Sequence, residues 1–190
     1  MGNLARTYSY LGRYNEAEQL HTQGLDVCKR VLGQEHPHTL KFMSYLASTY
    51  SHLGWYNKAK QLENQALNAR KQVLGDEHPD TLCSISNIAS TYSHLGQYTE
   101  AEQLQVKALN VRKRVVGEEH PDTLVSMNDL AFTYSHSGRW GEAEELYSKV
   151  TSIAERTLGK QHPHTQRFHK DHEDMRARRP TECETITPVS

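Results

Sequence analysis

The sequence predicts an all-α fold, an array of antiparallel helix pairs stacked side by side. Three observations point there. Glycines recur every 42 residues, at Gly33, Gly75, Gly117 and Gly159 and again at Gly12, Gly54, Gly96 and Gly138. Pro37, Pro79, Pro121 and Pro163 keep the same step, inside the near-copies LGQEHPHTL, LGDEHPDTL, VGEEHPDTL and LGKQHPHTQ. Between these breaks, apolar residues fall at helical spacing. A constant period of about 20–50 residues marks a stacked repeat array. The 36% hydrophobic content is low for a globular domain. A repeat that touches only its neighbours leaves much of each helix wet, so the shortfall fits.

In chain order, residues 1–36 hold an incomplete first repeat that starts part-way through its first helix. Leu4, Ala5 and Tyr8 belong to a core face there, so this end is expected to continue a longer array or to self-associate. Full repeats are expected over 37–78, 79–120 and 121–162. In 79–120, Pro79 opens the first helix, with Asp80 or Thr81 as the expected cap. Leu82, Ile85, Ile88, Ala89, Tyr92 and Leu95 follow on one face, and Gly96 ends the run. Thr99 is the expected cap of the second helix, whose stripe is Ala101, Leu104, Ala108, Val111 and Val115. Glu100 and Glu102 in its first turn and Arg112, Lys113 and Arg114 in its last suit the helix dipole. Ala89 and Ala101 let the two backbones approach closely. Residues 163–177 are expected to form a degenerate capping helix, because Gln166, His172 and Glu173 replace Leu124, Leu130 and Ala131. The tail 178–190 lacks periodicity and is expected to be disordered.

The stretch NIASTYSHLGQYTEAEQLQVKAL has a small residue in its first helix, Gly at the turn, Tyr after it and Ala in the second helix. It resembles the tetratricopeptide repeat, whose common period is about 34 residues. The longer form, running on through ALNVRKRVVGEEHPDTL, looks like the repeats of kinesin light chains. It is also similar to the tetratricopeptide tails of fungal NTPase-type sensor proteins. The resemblance covers residues 1–165 and implies a right-handed α-solenoid whose concave groove, lined by the first helix of each pair, binds a peptide or partner protein. Two roles follow: an adaptor of kinesin light chain type, or the ligand-sensing tail of a STAND-type signalling NTPase.

The side of the first helix opposite its apolar stripe then supplies the candidate site. In 79–120 that side is Ser84, Asn87, Thr91 and His94; its counterparts are Phe42, Tyr45, Thr49 and His52, then Ser126, Asp129, Thr133 and His136. Asn3, Thr7 and Tyr10 stand for the incomplete repeat. The kinesin light chain likeness implies that the residue before Leu-Ala holds the ligand backbone, which is Asn3, Tyr45, Asn87 and Asp129 here. Only Asn3 and Asn87 match that family's asparagine; Asp129 would favour a basic ligand. The expected partner-binding set, drawn from these rows with Lys41 added, is Asn3, Lys41, Tyr45, Thr49, His52, Ser84, Asn87, Thr91, His94, Asp129, Thr133 and His136.

Other chemistry is not expected. The net charge of −1 gives no basic footprint for nucleic acid, and no apolar run reaches the roughly 18 residues of a membrane span. The opening GNLARTYSYLG lacks a signal-peptide pattern. Cys28, Cys83 and Cys183 have no framework spacing and read as reduced thiols in a cytoplasmic setting. His36, His78, His120 and His162 recur too far apart to converge on one metal, so neither metal nor cofactor is expected. No nucleophile elbow or P-loop occurs, so the chain is read as non-catalytic.

Overall fold

The computed structural model describes residues 2–180. Among them nine helices follow one another: α1 (Gly2–Tyr10), α2 (Tyr14–Leu32), α3 (Pro37–His52), α4 (Tyr56–Leu74), α5 (Pro79–His94), α6 (Tyr98–Val115), α7 (Pro121–His136), α8 (Trp140–Thr157) and α9 (Pro163–Arg178). They fall into two compact units, one ending at Ala108 and one beginning at Leu109. In the first unit each helix from α1 to α4 packs on the next, and α3 also meets α5. In the second unit α7 and α8 pack together and α9 lies against both. The predicted all-α array of helical hairpins is what forms.

Two kinds of turn alternate, and each explains one glycine series. Within a hairpin the chain closes a Schellman motif: Trp55 N–H donates to the Tyr50 carbonyl at 2.8 Å and Gly54 N–H to that of Ser51 at 3.1 Å. Between hairpins, Gly75 adopts φ 88° and ψ 167°, a region essentially closed to other residues. The histidine of the repeated motif then caps the next helix. His36, His78, His120 and His162 each accept, through Nδ1, the backbone N–H two residues on, at 3.1–3.2 Å. Pro follows in the first helical turn, where its missing N–H costs nothing. The cap is therefore His78, not Asp80 or Thr81. Thr39 and Thr123 instead donate to the carbonyls of Gly33 and Gly117, at 2.7 and 2.8 Å. Thr99 lies inside α6. Helices α2, α4 and α8 begin without a side-chain cap.

The helix crossings are built on alanine. Ala47 and Ala59 in the first unit, and Ala131 and Ala143 in the second, are fully buried. Around the first pair's hairpin, Leu25, Leu40, Met43, Leu46 and Ala66 form a core flanked by Phe42, Tyr50 and Leu62. In the second unit Ala131, Ala143, Tyr147 and Met175 cluster. Helix α9 is amphipathic in a way the degenerate pattern hid. Phe168 and Met175 are fully buried, and Gln166 and Glu173 are exposed. His172, expected on the polar outer face, is buried and stacks on Tyr147 at 5.4 Å. Of the tail expected to be disordered, Arg178 ends α9, and residues 181–190, Cys183 included, lie outside the described residues.

Candidate partner-binding groove

In the first unit the odd-numbered helices present one stripe at the same register: Tyr45, Ser48, Thr49 and His52 on α3, and Asn87, Ser90, Thr91 and His94 on α5. Two hollows open along it. One, of about 450 Å³, has Ser48, Ser51 and His52 of α3 on one wall and Asn87, Ser90, Thr91 and His94 of α5 on the other. Tyr56 and Glu63 of α4 lie beneath. The second, of about 290 Å³, lies between Arg6, Ser9 and Tyr10 of α1 and Tyr45, Ser48, Thr49 and His52 of α3, with His21 of α2 beneath. The two floor residues occupy one repeat position. Each stands four residues after a buried alanine, Ala17 or Ala59, and so points to the same covered face.

Burial decides the chemistry of both floors. Glu63 is 5% exposed and takes one hydrogen bond, from the Thr91 hydroxyl to Oε2 at 2.9 Å. Burial pushes its carboxyl up to about 7, and the Thr91 bond only partly opposes this. His21 is 2% exposed, and burial lowers its pKa. The Thr49 hydroxyl donates to the Tyr45 carbonyl at 3.0 Å, so it accepts from His21 Nδ1 at 3.1 Å and leaves Nε2 as an acceptor. Aromatic stacking fixes the rims: Tyr14 lies on His52 at 4.7 Å and Tyr56 on His94 at 5.1 Å. Burial, and then the charge of His52, lower the pKa of His94.

The structure divides the expected rows. His52, Asn87 and His94 are exposed on the groove, and Tyr45 is half-buried at its edge. The serine row is not on the groove. Ser84 is 3% exposed and accepts from Arg70, which also donates to Ser44 at 2.8 Å. Ser126 likewise accepts from Arg112. An arginine four residues before the end of α4 drives between two first helices, and the hydroxyls turn inward to meet it. Phe42 takes the same position over Gly24, where an added Cβ would lie 2.3 Å from its ring. The threonine row is also buried: Thr49, Thr91 and Thr133 are each 2% exposed or less. Thr49 and Thr91 hold the floor residues instead of facing solvent. Lys41 is exposed away from both hollows, its Nζ 5.8 Å from the Tyr45 ring. Asn3 is exposed and lines neither hollow.

The second unit uses the stripe differently. Asp129, expected to await a basic ligand, is bound by Arg167 of α9 at 3.0 Å. His136 lies 3.9 Å from the Phe132 ring, and Arg178 Nη1 donates to its Nε2 at 2.6 Å. Asn128 donates to Asp171 at 2.7 Å, and Arg176 pairs with Glu144, holding that carboxyl down to about 2. A hollow of about 380 Å³ remains between α7 and α9, lined by Phe132, Asp171, Asp174, Ala177 and Arg178. Sequence reasoning missed the Ser48–Ser90 row and the floor residues His21 and Glu63. The signal available was a polar residue four places after the repeated second-helix alanine.

Among the described residues no helix is long and apolar enough to cross a membrane, and no three His, Cys, Asp or Glu side chains gather as a metal site. The tetratricopeptide repeat family matches residues 1–72 and 80–156. The fold is similar to a kinesin-light-chain-type protein of Podosopora anserina with nearly identical TPR-like repeats. That match has 30% identity and a TM-score of 0.77, covering 93% of this chain and 83% of that one. It is also similar to BtubC (BKLC) from P. vanneervenii, at 20% identity over 92% and 69% of the two chains, with a TM-score of 0.75. A Rap protein solved with Competence and Sporulation Factor aligns at 16% identity over 92% and 52%, with a TM-score of 0.69. No curated protein sequence matches.

Proposed function

The chain belongs to the tetratricopeptide repeat family, and from that premise we propose a non-catalytic scaffold that holds a peptide or short helix of a partner protein along the α1–α3–α5 face. The observation that carries this is the pair of hollows set in line on one stripe, with Ser48, His52, Asn87, Ser90 and His94 exposed on their walls and His21 and Glu63 beneath. Such a row suits an extended backbone, whose N–H groups need acceptors at regular intervals. Asn87 is placed to hold that backbone, with Ser48, Ser90, His52 and His94 beside it. Tyr45 offers a ring face next to the first hollow. An adaptor of kinesin light chain type, in the cytoplasm, is the role best supported, on the strength of the 30% likeness.

The ligand-sensing tail of a signalling NTPase is the second reading. Its support is the fold-level likeness to a Rap protein complexed with Competence and Sporulation Factor. The full-length transcript separates the two: heptad repeats upstream favour the adaptor, a P-loop favours the sensor.

The groove is tested by capture of identified partners on the wild type and on an Asn87→Ala, Ser90→Ala double variant. Both changes are at exposed positions and leave the core intact. Partners lost to the variant support the groove; equal recovery by both proteins places binding elsewhere.

A further inference from the structure

We infer that the hollow between α3 and α5 is a subsite for a cationic side chain, a guanidinium or ammonium group carried by the partner, with Glu63 as its counter-ion. This deepens the groove reading above and rests on it for the identity of the carrier. Three observations point to a cation. Glu63 is nine-tenths buried and lines the hollow, yet it takes a single hydrogen bond, from the Thr91 hydroxyl, and no lysine or arginine shares the lining. A carboxyl in such a position is under-satisfied: a carboxylate can accept about four hydrogen bonds.

The walls have matching chemistry. Ser48, Ser51, Ser90 and Asn87 each supply an oxygen acceptor. No lysine or arginine lines the hollow, and burial lowers the pKa of His94, one of its two imidazoles. An anion would meet Glu63 with nothing to offset the repulsion. A neutral donor would leave the charge of the carboxylate uncompensated. A guanidinium brings five N–H groups and the opposite charge into one place.

The site is specific to this repeat. The matching floor position is His21 in the preceding repeat and Gln105 in the following one. Gln105 also shows that a neutral amide folds at this position, so Glu63→Gln is a fair test of charge alone.

The test uses small probes, independent of any peptide. Carbon-13 spectra of Glu63 and side-chain amide spectra of Asn87 are followed while n-butylguanidinium is added under mildly alkaline conditions. The neutral isostere n-butylurea and the anion butyrate serve as comparisons. The expected result is a saturable shift with n-butylguanidinium alone, weakened on the order of tenfold or more in Glu63→Gln, the loss of one charge-assisted pair. Equal binding of n-butylurea, unchanged binding by Glu63→Gln, or no saturable shift overturns the inference. None of these outcomes alters the Asn87→Ala, Ser90→Ala capture experiment, so the groove and its cation subsite stand or fall separately.

Discussion

The α4–α5 junction of the first unit and the α8–α9 junction of the second have the same place in the repeat and opposite chemistry. At the first, the second-helix positions are Glu63 and Arg70, meeting Thr91 and Ser84. At the second they are Tyr147 and Ala154, and the facing first-helix positions are Met175 and Phe168, both fully buried. One junction buries two ionisable groups that are not paired with each other; the other buries rings and methyls. Burying an unpaired charge is costly, whereas burying apolar surface is the main source of stability. The comparison teaches that a repeat fold can concentrate stability at one junction and spend it on recognition chemistry at another, without changing the backbone.

The largest expected effect breaks the apolar side of that comparison. Phe168→Ala should cost about 3–5 kcal/mol, the range for an aromatic removed from a packed core. Ser84→Ala should cost only about 1–3 kcal/mol, that of one buried donor left unsatisfied on Arg70. Urea denaturation of both variants measures the order; if Ser84→Ala is the more damaging, the assignment of stability to α8–α9 is wrong.

The next effect sharpens the polar side. The Glu63 pKa is raised in the folded chain, so the unfolded chain gives up this proton at lower pH. Stability is therefore lost as pH rises from the ordinary carboxyl range to about 7, and is level above that. The gap corresponds to about 3 kcal/mol. Glu63→Gln should recover it in alkaline solution and gain nothing in acid. His52 of α3, His94 of α5 and Tyr56 of α4 face the same hollow, so mutant and wild type must be compared at each pH. Thermal melts across the neutral range that run parallel for the two proteins would contradict the account.

The smallest effect asks what the two regions share. His78→Ala and His162→Ala remove the same cap in different units and should each cost about 1 kcal/mol. Hydrogen exchange at the first turns of α5 and α9 reports it. A large difference would show that the caps, and not only the junctions, distinguish the two.

The backbone was legible in the sequence because its demands are local. Positive φ at Gly54 and Gly75, proline at a helix start and alanine at a crossing each leave a mark at their own position. Orientation about the helix axis was less legible. The Ser84 and Thr91 rows look like a polar face, and only the arrival of Arg70 and Glu63 from the preceding helix turns them inward. Those partners lie 14 and 28 residues away, beyond the reach of a pattern read along one helix. His172 and Asp129 were misread for the same reason: Tyr147 and Arg167 come to them from elsewhere in the chain.

Arg70 reaches a serine in its own repeat and another in the next, which sets rules for how such a gene can grow. Doubling the block 37–78 would bring that guanidinium against a second Phe42, and doubling 121–162 would set Ala154 beside a Ser126 that has lost its arginine donor. Only 79–120 ends on an arginine and begins with the serine to receive it, so tandem expansion should proceed through that block and stall at the others.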